Sequence, residues 1–251
     1  LVNSGYNQSL PLILMLHGVL SNSLTLTDVQ VVKNAYLAQR FPANLVLVDY
    51  GALTQSNLPF FLSTLSIVKL LISHANTDTI ASHVAEFLIF LTQSSVLTGP
   101  ENVHMVGFSL GAHIAGTVGR HMYERTGQKI RRITGLDPSL QIPIHSVKLD
   151  KNDAEFVDVT LTSLGAIASV IREGHVQFFI NGGGPHQPNC PKFAPFTETY
   201  CSHTTASFYF AKSIRKHKRI PACKCSFSFT CTRLPLDCTD RIWYGQYTSD
   251  R

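Results

Sequence analysis

The 251-residue chain contains no apolar run long enough to cross a membrane as a helix, so no transmembrane span is expected. It also lacks internal repeats and low-complexity segments. Charged residues are few, 15% against 44% hydrophobic, which excludes a disordered chain and describes a globular core. A strong excess of one charge sign is missing too: 21 Lys and Arg against 16 Asp and Glu leave +5. With no basic stretch interleaved by aromatics, nucleic acid is excluded as a partner. The densest basic cluster, Lys212 to Arg219, reads as a solvated helix end or, more sharply, as a surface drawn to anionic lipid. No signal peptide opens the chain, from which a processed or trimmed N-terminus is expected.

Cysteine is absent from the first three quarters of the chain. Cys190, Cys201, Cys223, Cys225, Cys231 and Cys238 all lie beyond it. An even number clustered around turns predicts disulfides, and with them an oxidising, extracellular compartment. A zinc site is the rival, but Cys223-x-Cys225 lacks the usual ligand gap. No metal and no cofactor is expected. Asn7-Gln8-Ser9 is a glycosylation acceptor, in keeping with secretion.

What the chain does have is centred on Gly107-Phe108-Ser109-Leu110-Gly111. An apolar run, Val103 to Val106, precedes it, and a small-residue stretch from Ala112 to Gly119 comes after it. This predicts a strand, a sharp turn and a helix with serine at the apex, the nucleophile elbow Gly-x-Ser-x-Gly. Glycines two residues either side let strand and helix approach closely. The plainer alternative is a tight turn whose serine merely caps the helix.

Around it, apolar runs alternate with helical patterns. Leu12 to Leu16 and Leu45 to Val48 read as buried strands, and Thr27 to Arg40 as a crossover helix. Leu58 to Leu71 is apolar and ambiguous. Thr79 to Leu91 reads as a helix burying Val84, Phe87, Leu88 and Leu91. The alternation predicts an α/β fold, a mostly parallel sheet with helices on both faces.

Three more sites fall at strand ends. His17-Gly18-Val19 comes after the first strand, where the Val19 N–H, with that of Leu110, would form an oxyanion hole. Asp137 comes after the strand around Arg132 to Thr134, where α/β sites are built. Asp158, within a strand from Asp153 to Thr162, is its rival as triad acid, and Asp49 reads as structural. Phe178 to Pro185 reads as strand then turn. A disulfide from Cys190 to Cys201 would enclose ten residues, Phe193 and Phe196 among them. His203 lies just beyond, expected on the first turn of a helix from Thr205 to Ile214. The order Ser109, Asp137, His203 is the α/β-hydrolase order of nucleophile, acid and base.

Gly107-Phe-Ser-Leu-Gly-Ala-His113, Gly135-Leu-Asp-Pro138, Phe179-Ile-Asn-Gly-Gly183 and Cys201-Ser-His203 together resemble the animal pancreatic-lipase family in order and spacing. The resemblance runs from about Leu12 to His203. It implies an α/β-hydrolase domain over residues 1–251, a triad of Ser109, Asp137 and His203, oxyanion donors Val19 and Leu110, and a lid between Cys190 and Cys201; in departure from the family, no C-terminal β-sandwich domain is expected. Triacylglycerol lipases of the family have a longer lid. The short one here is similar to that of venom-type and insect phospholipases A1. The implied activity is serine hydrolysis of an sn-1 acyl ester by a secreted monomer at a membrane or micelle surface. A neutral-lipid lipase or general esterase, and a non-catalytic lipid-binding protein of the same fold, are the alternatives. Three departures stand out: Val19 replaces an aromatic residue, Gln177 replaces an aspartate, and Leu161-Thr162 lacks a histidine.

Overall fold

Every residue of the first strand, β1 (Leu12–Leu16), is apolar because both its faces are covered. Leu12, Leu14 and Leu16 face one core; Ile13 and Met15 face another. In the computed structural model, residues 5–19, 21–24, 28–54, 76–140, 148–192, 195–215, 219–224 and 240–249 are described. The expectation at Leu58 to Leu71 lies outside them.

Six strands form one sheet: β1, β2 (Asn44–Val48), β3 (Val103–Phe108), β4 (Ile130–Leu136), β5 (Ala154–Leu161) and β6 (Val176–Phe179). They lie in the order β2-β1-β3-β4-β5-β6, and all five pairings are parallel. Among the described residues β2 is an edge strand. Its last four residues are half-buried rather than buried as expected, because only one side has a neighbouring strand.

The helices are α1 (Val29–Ala38), α2 (Gly51–Thr54), α3 (Thr77–Gln93), α4 (Leu110–Thr126) and α5 (Pro195–Arg215). α3 packs on α4 over one sheet face, and α1 packs on α5 over the other. Val84, Leu88 and Leu91 are buried as the helical spacing predicts, but Phe87 is exposed, since α3 meets α4 along a narrower stripe. α5 begins well before the expected Thr205. Pro195 suits a first helical position, where its missing N–H costs nothing, and Glu198 in the first turn complements the helix dipole. His203 therefore sits inside the helix, not on its first turn. Lys212 and Arg215 occupy the last turn of α5, where cations oppose the carbonyl end of the dipole, as the helix-end reading expects.

Parallel register gathers the strand ends. Leu16 is paired with Gly107, Phe108 with Leu136, and Leu136 with Thr160. The residues just after β1, β3 and β4, namely His17, Ser109 and Asp137, thus emerge at one edge of the sheet.

Beneath that edge, Arg132 and Asp158 form a buried two-pronged pair, Nε to Oδ1 at 2.8 Å and Nη2 to Oδ2 at 3.0 Å. Arg132 also donates to the carbonyls of Gly245 and Gln246, both at 2.8 Å. A hairpin of β7 (Ile220–Cys223) and β8 (Arg241–Tyr244) precedes those carbonyls, so the pair ties the late chain to the sheet. Asp158 is thereby committed to structure and is not the triad acid. Asp158→Ala strands a buried guanidinium, and a loss of roughly 3–5 kcal/mol is expected by chemical denaturation with disulfides intact. A loss below about 1 kcal/mol would show that the two carbonyls alone satisfy Arg132.

Candidate active site

Ser109 has φ 55° and ψ −119°, a conformation that side chains disfavour. Two close approaches enforce it. A Cβ at Gly107 would lie 2.3 Å from the Gly111 carbonyl oxygen, and one at Gly111 would lie 2.4 Å from the Leu16 oxygen. Only glycine fits either place, so β3, α4 and β1 meet with Ser109 at the apex. Its N–H donates to the Leu136 carbonyl at 2.9 Å. Its side chain makes no capping bond to α4, which removes the reading of Ser109 as a helix cap.

Asp137, also at positive φ, directly succeeds β4 and is fully buried. Its N–H donates to the Thr160 carbonyl at 2.7 Å. Oδ1 accepts from the N–H groups of Thr162 (2.6 Å) and Ser163 (3.1 Å), and Oδ2 accepts from the Ser163 hydroxyl. The remaining bond to Oδ2 comes from His203 Nδ1 at 2.6 Å. A carboxylate so held keeps the imidazole proton on Nδ1 and leaves Nε2 as the basic atom. The His203 ring lies against Phe108, centroids 4.6 Å apart, and Phe108 is the residue before Ser109. Among the described residues the Ser109 hydroxyl forms no hydrogen bond, the imidazole included. Such contacts commonly tighten only with substrate bound.

The loop after β1 abuts the serine. A Cβ built on Gly18 would stand 3.3 Å from Ser109 Cβ. Val19, next in the chain, is half-buried against the core, and Leu110 opens α4. The two proposed oxyanion donors therefore flank Ser109 on separate elements. His17 is wholly buried: Nδ1 donates to the Gly18 carbonyl at 2.8 Å, Nε2 accepts from the Tyr50 N–H at 3.2 Å, and the ring stacks on Tyr50. Asp49 accepts from Ser23 and Gly51, a structural role as expected, and the Gly51 N–H draws its carboxyl below the usual range.

Cys190 and Cys201 are joined by a disulfide. The bracketed segment is not wholly the small loop expected: α5 begins inside it at Pro195 and carries Cys201. His186 holds Glu198 at 2.9 Å across this bracket, and the Gln187 N–H donates to the Ser202 hydroxyl at 3.1 Å. Phe193 lies outside the described residues, as does the side chain of Phe196. Cys223 is also disulfide-bonded. Asn7 is exposed, its side-chain oxygen accepting from the Ser9 N–H at 2.9 Å. Among the described residues no group of three or more His, Cys, Asp or Glu stands ready for a metal.

Three residues beside Asp137 were invisible as sequence: Thr162 and Ser163, which hold it through their N–H groups and the Ser163 hydroxyl, and Glu173. The Glu173 carboxyl is buried, 1% exposed, with no hydrogen-bond partner for either oxygen among the described residues. Burial pushes it up to about 8; the nearby Ser169 side chain and then the charge of Lys148 oppose this, and the charge of Asp137 adds to it.

Chains that turn from strand to helix through a strained serine, with acid and base supplied from later elements, make up the α/β-hydrolase class, and this fold is one of them. Within that class the chain belongs to the Lipase family, which it matches over residues 1–240. It is 32% identical over 236 residues to phospholipase A1 member A of Pongo abelii, covering 90% of this chain and 46% of that protein. To pancreatic triacylglycerol lipase of Oryctolagus cuniculus it is 41% identical over 126 residues, 47% of this chain and 26% of that protein. The chain thus spans about half the length, or less, of these relatives. A solved lipase-esterase related protein of Clostridium acetobutylicum is 19% identical, covering 58% of this chain and 48% of its own, at a TM-score of 0.33.

Glu173 has a measurable signature. Its folded pKa lies above its unfolded one, so its contribution to stability is full below the unfolded value near 4.5 and is lost as pH rises to about 8. Glu173→Gln is expected to flatten that stretch and to exceed the wild type by a few kcal/mol above pH 8. Parallel stability–pH curves for the two proteins would refute the assignment.

Proposed function

We propose that this protein is a secreted serine hydrolase that cleaves the sn-1 acyl ester of phospholipids. The observation that carries the reading is the 2.6 Å bond between His203 Nδ1 and Asp137 Oδ2, beside a serine held in a strained elbow. In this mechanism His203 Nε2 takes the Ser109 proton as Oγ bonds to the ester carbonyl carbon. Val19 and Leu110 N–H groups stabilise the oxyanion that forms. The imidazolium, steadied by Asp137, gives its proton to the leaving alcohol oxygen as the C–O bond breaks. Water, deprotonated by the same imidazole, then releases the acyl group from Ser109.

Two further observations support the substrate. The disulfide bracket from Cys190 to Cys201 is short, with a sequence separation of 11, which favours a site that tolerates a polar headgroup. Similarity to a phospholipase A1 spans 90% of the chain, whereas that to a triacylglycerol lipase spans 47%. Exposed Leu24, Leu140, Val170 and Ile171 all lie in segments beyond strand ends at the serine's edge of the sheet. Apolar groups there favour work at a lipid surface. Secretion is supported by the disulfides and by an exposed glycosylation acceptor at Asn7.

The test is fatty-acid release from phosphatidylcholine vesicles and from emulsified triolein. Vesicle hydrolysis is expected to exceed triolein hydrolysis, with the fatty acid leaving the sn-1 position. Ser109→Ala is expected to lower kcat by at least ~10⁴-fold, and Asp137→Asn by roughly 10³–10⁴-fold through loss of the imidazole tautomer. Triolein cleaved in preference moves the assignment to a neutral-lipid lipase. A folded protein silent on both substrates moves it to a lipid-binding role.

A further inference from the structure

The connection that would present the Val19 N–H runs from the end of β1 at Leu16 to the start of α1 at Val29 and bears a glycine, so something must hold its peptide planes. Asp28 does so from the next element. Its Oδ2 accepts from the Gly18 N–H at 2.8 Å, and Oδ1 accepts from the Val29 N–H at the start of α1. The side chain is 2% exposed. Burial raises its pKa, and the same two N–H groups, with His17 nearby, counter that rise. One carboxylate thus caps α1 and clamps Gly18 together.

The clamp has a consequence for the chemistry. Gly18 lies against Ser109, and its N–H is the backbone donor immediately before that of Val19 in the chain. Engaged by Asp28, it is removed from competition, and the 17–18 peptide is locked in one orientation. The Tyr50 hydroxyl, donating to the His17 carbonyl, fixes the other side of the same peptide. The next peptide, whose Gly18 carbonyl accepts from His17 Nδ1 at 2.8 Å, is left with its Val19 N–H to serve an oxyanion. We propose that Asp28 is a positioning residue for the oxyanion hole, acting through the Gly18 N–H. This rests on the serine-hydrolase reading above.

Two variants separate the clamp from the cap. Asp28→Ser keeps a good N-cap for α1 but is too short to reach Gly18. Asp28→Asn keeps one acceptor oxygen for Gly18. The probe is a p-nitrophenyl alkylphosphonate, whose attack by Ser109 develops charge on a P–O oxygen and releases p-nitrophenol, with Ser109→Ala as blank. Asp28→Ser is expected to slow labelling and ester-turnover kcat by about tenfold, less than deleting a donor outright, with KM unchanged and the melting midpoint lowered by a few degrees because the Gly18 N–H loses its partner. Asp28→Asn is expected to recover part of the loss. If the wild type is labelled but Asp28→Ser stays within about twofold of it, or loses only KM, the positioning role is overturned while the hydrolase reading stands. If the wild type is not labelled at Ser109, the hydrolase reading itself fails and the positioning role falls with it.

Discussion

The conformation of Ser109 is the constraint on which the rest depends. A left-handed serine costs on the order of 1–3 kcal/mol and persists only when its surroundings over-determine it. Here they do. Gly107 and Gly111 bring β3, α4 and β1 within backbone contact, and the Ser109 N–H is held by Leu136 on β4. Three parallel strands thus define one turn. Their register delivers His17, Ser109 and Asp137 to the same edge without any of these residues having to reach. The strain is local and the support is global, which is why the fold and the site are not separable.

Much of this was legible in the sequence because each signal is local. The elbow needs glycines at fixed offsets, buried parallel strands need continuous apolar runs, and both are read within a few residues. The order of Ser109, Asp137 and His203 is legible for the same reason. What was not legible depends on partners far away in the chain. Asp158 could be told from Asp137 only through Arg132, which pairs with it across adjacent strands. Phe87 falls on the predicted buried face by spacing alone, yet the width of the α3–α4 contact leaves it outside. The helix through the Cys190–Cys201 bracket was hidden because a cysteine pair reads as a loop boundary. A disulfide constrains two side chains and leaves the backbone between them free to be helical.

The three departures from the family pattern become understandable once backbone and side-chain roles are separated. At Val19 the proposed task belongs to the N–H, so an aliphatic side chain in place of an aromatic one alters the groove without removing the donor. At Thr162 the N–H supports Asp137 at 2.6 Å, and the hydroxyl faces the His203 carbonyl at 3.4 Å, so the absent histidine before it leaves the acid's cradle complete. Gln177 donates to the Ile171 carbonyl at 3.3 Å, an exposed contact that involves none of Ser109, Asp137 and His203. The departures thus fall where side chains are dispensable, and serine, carboxylate and imidazole stand where the proposed chemistry needs their atoms. Asp28 belongs with the second group. It is a side chain recruited to hold a backbone, and a site built mainly from backbone donors is only as good as what fixes their direction.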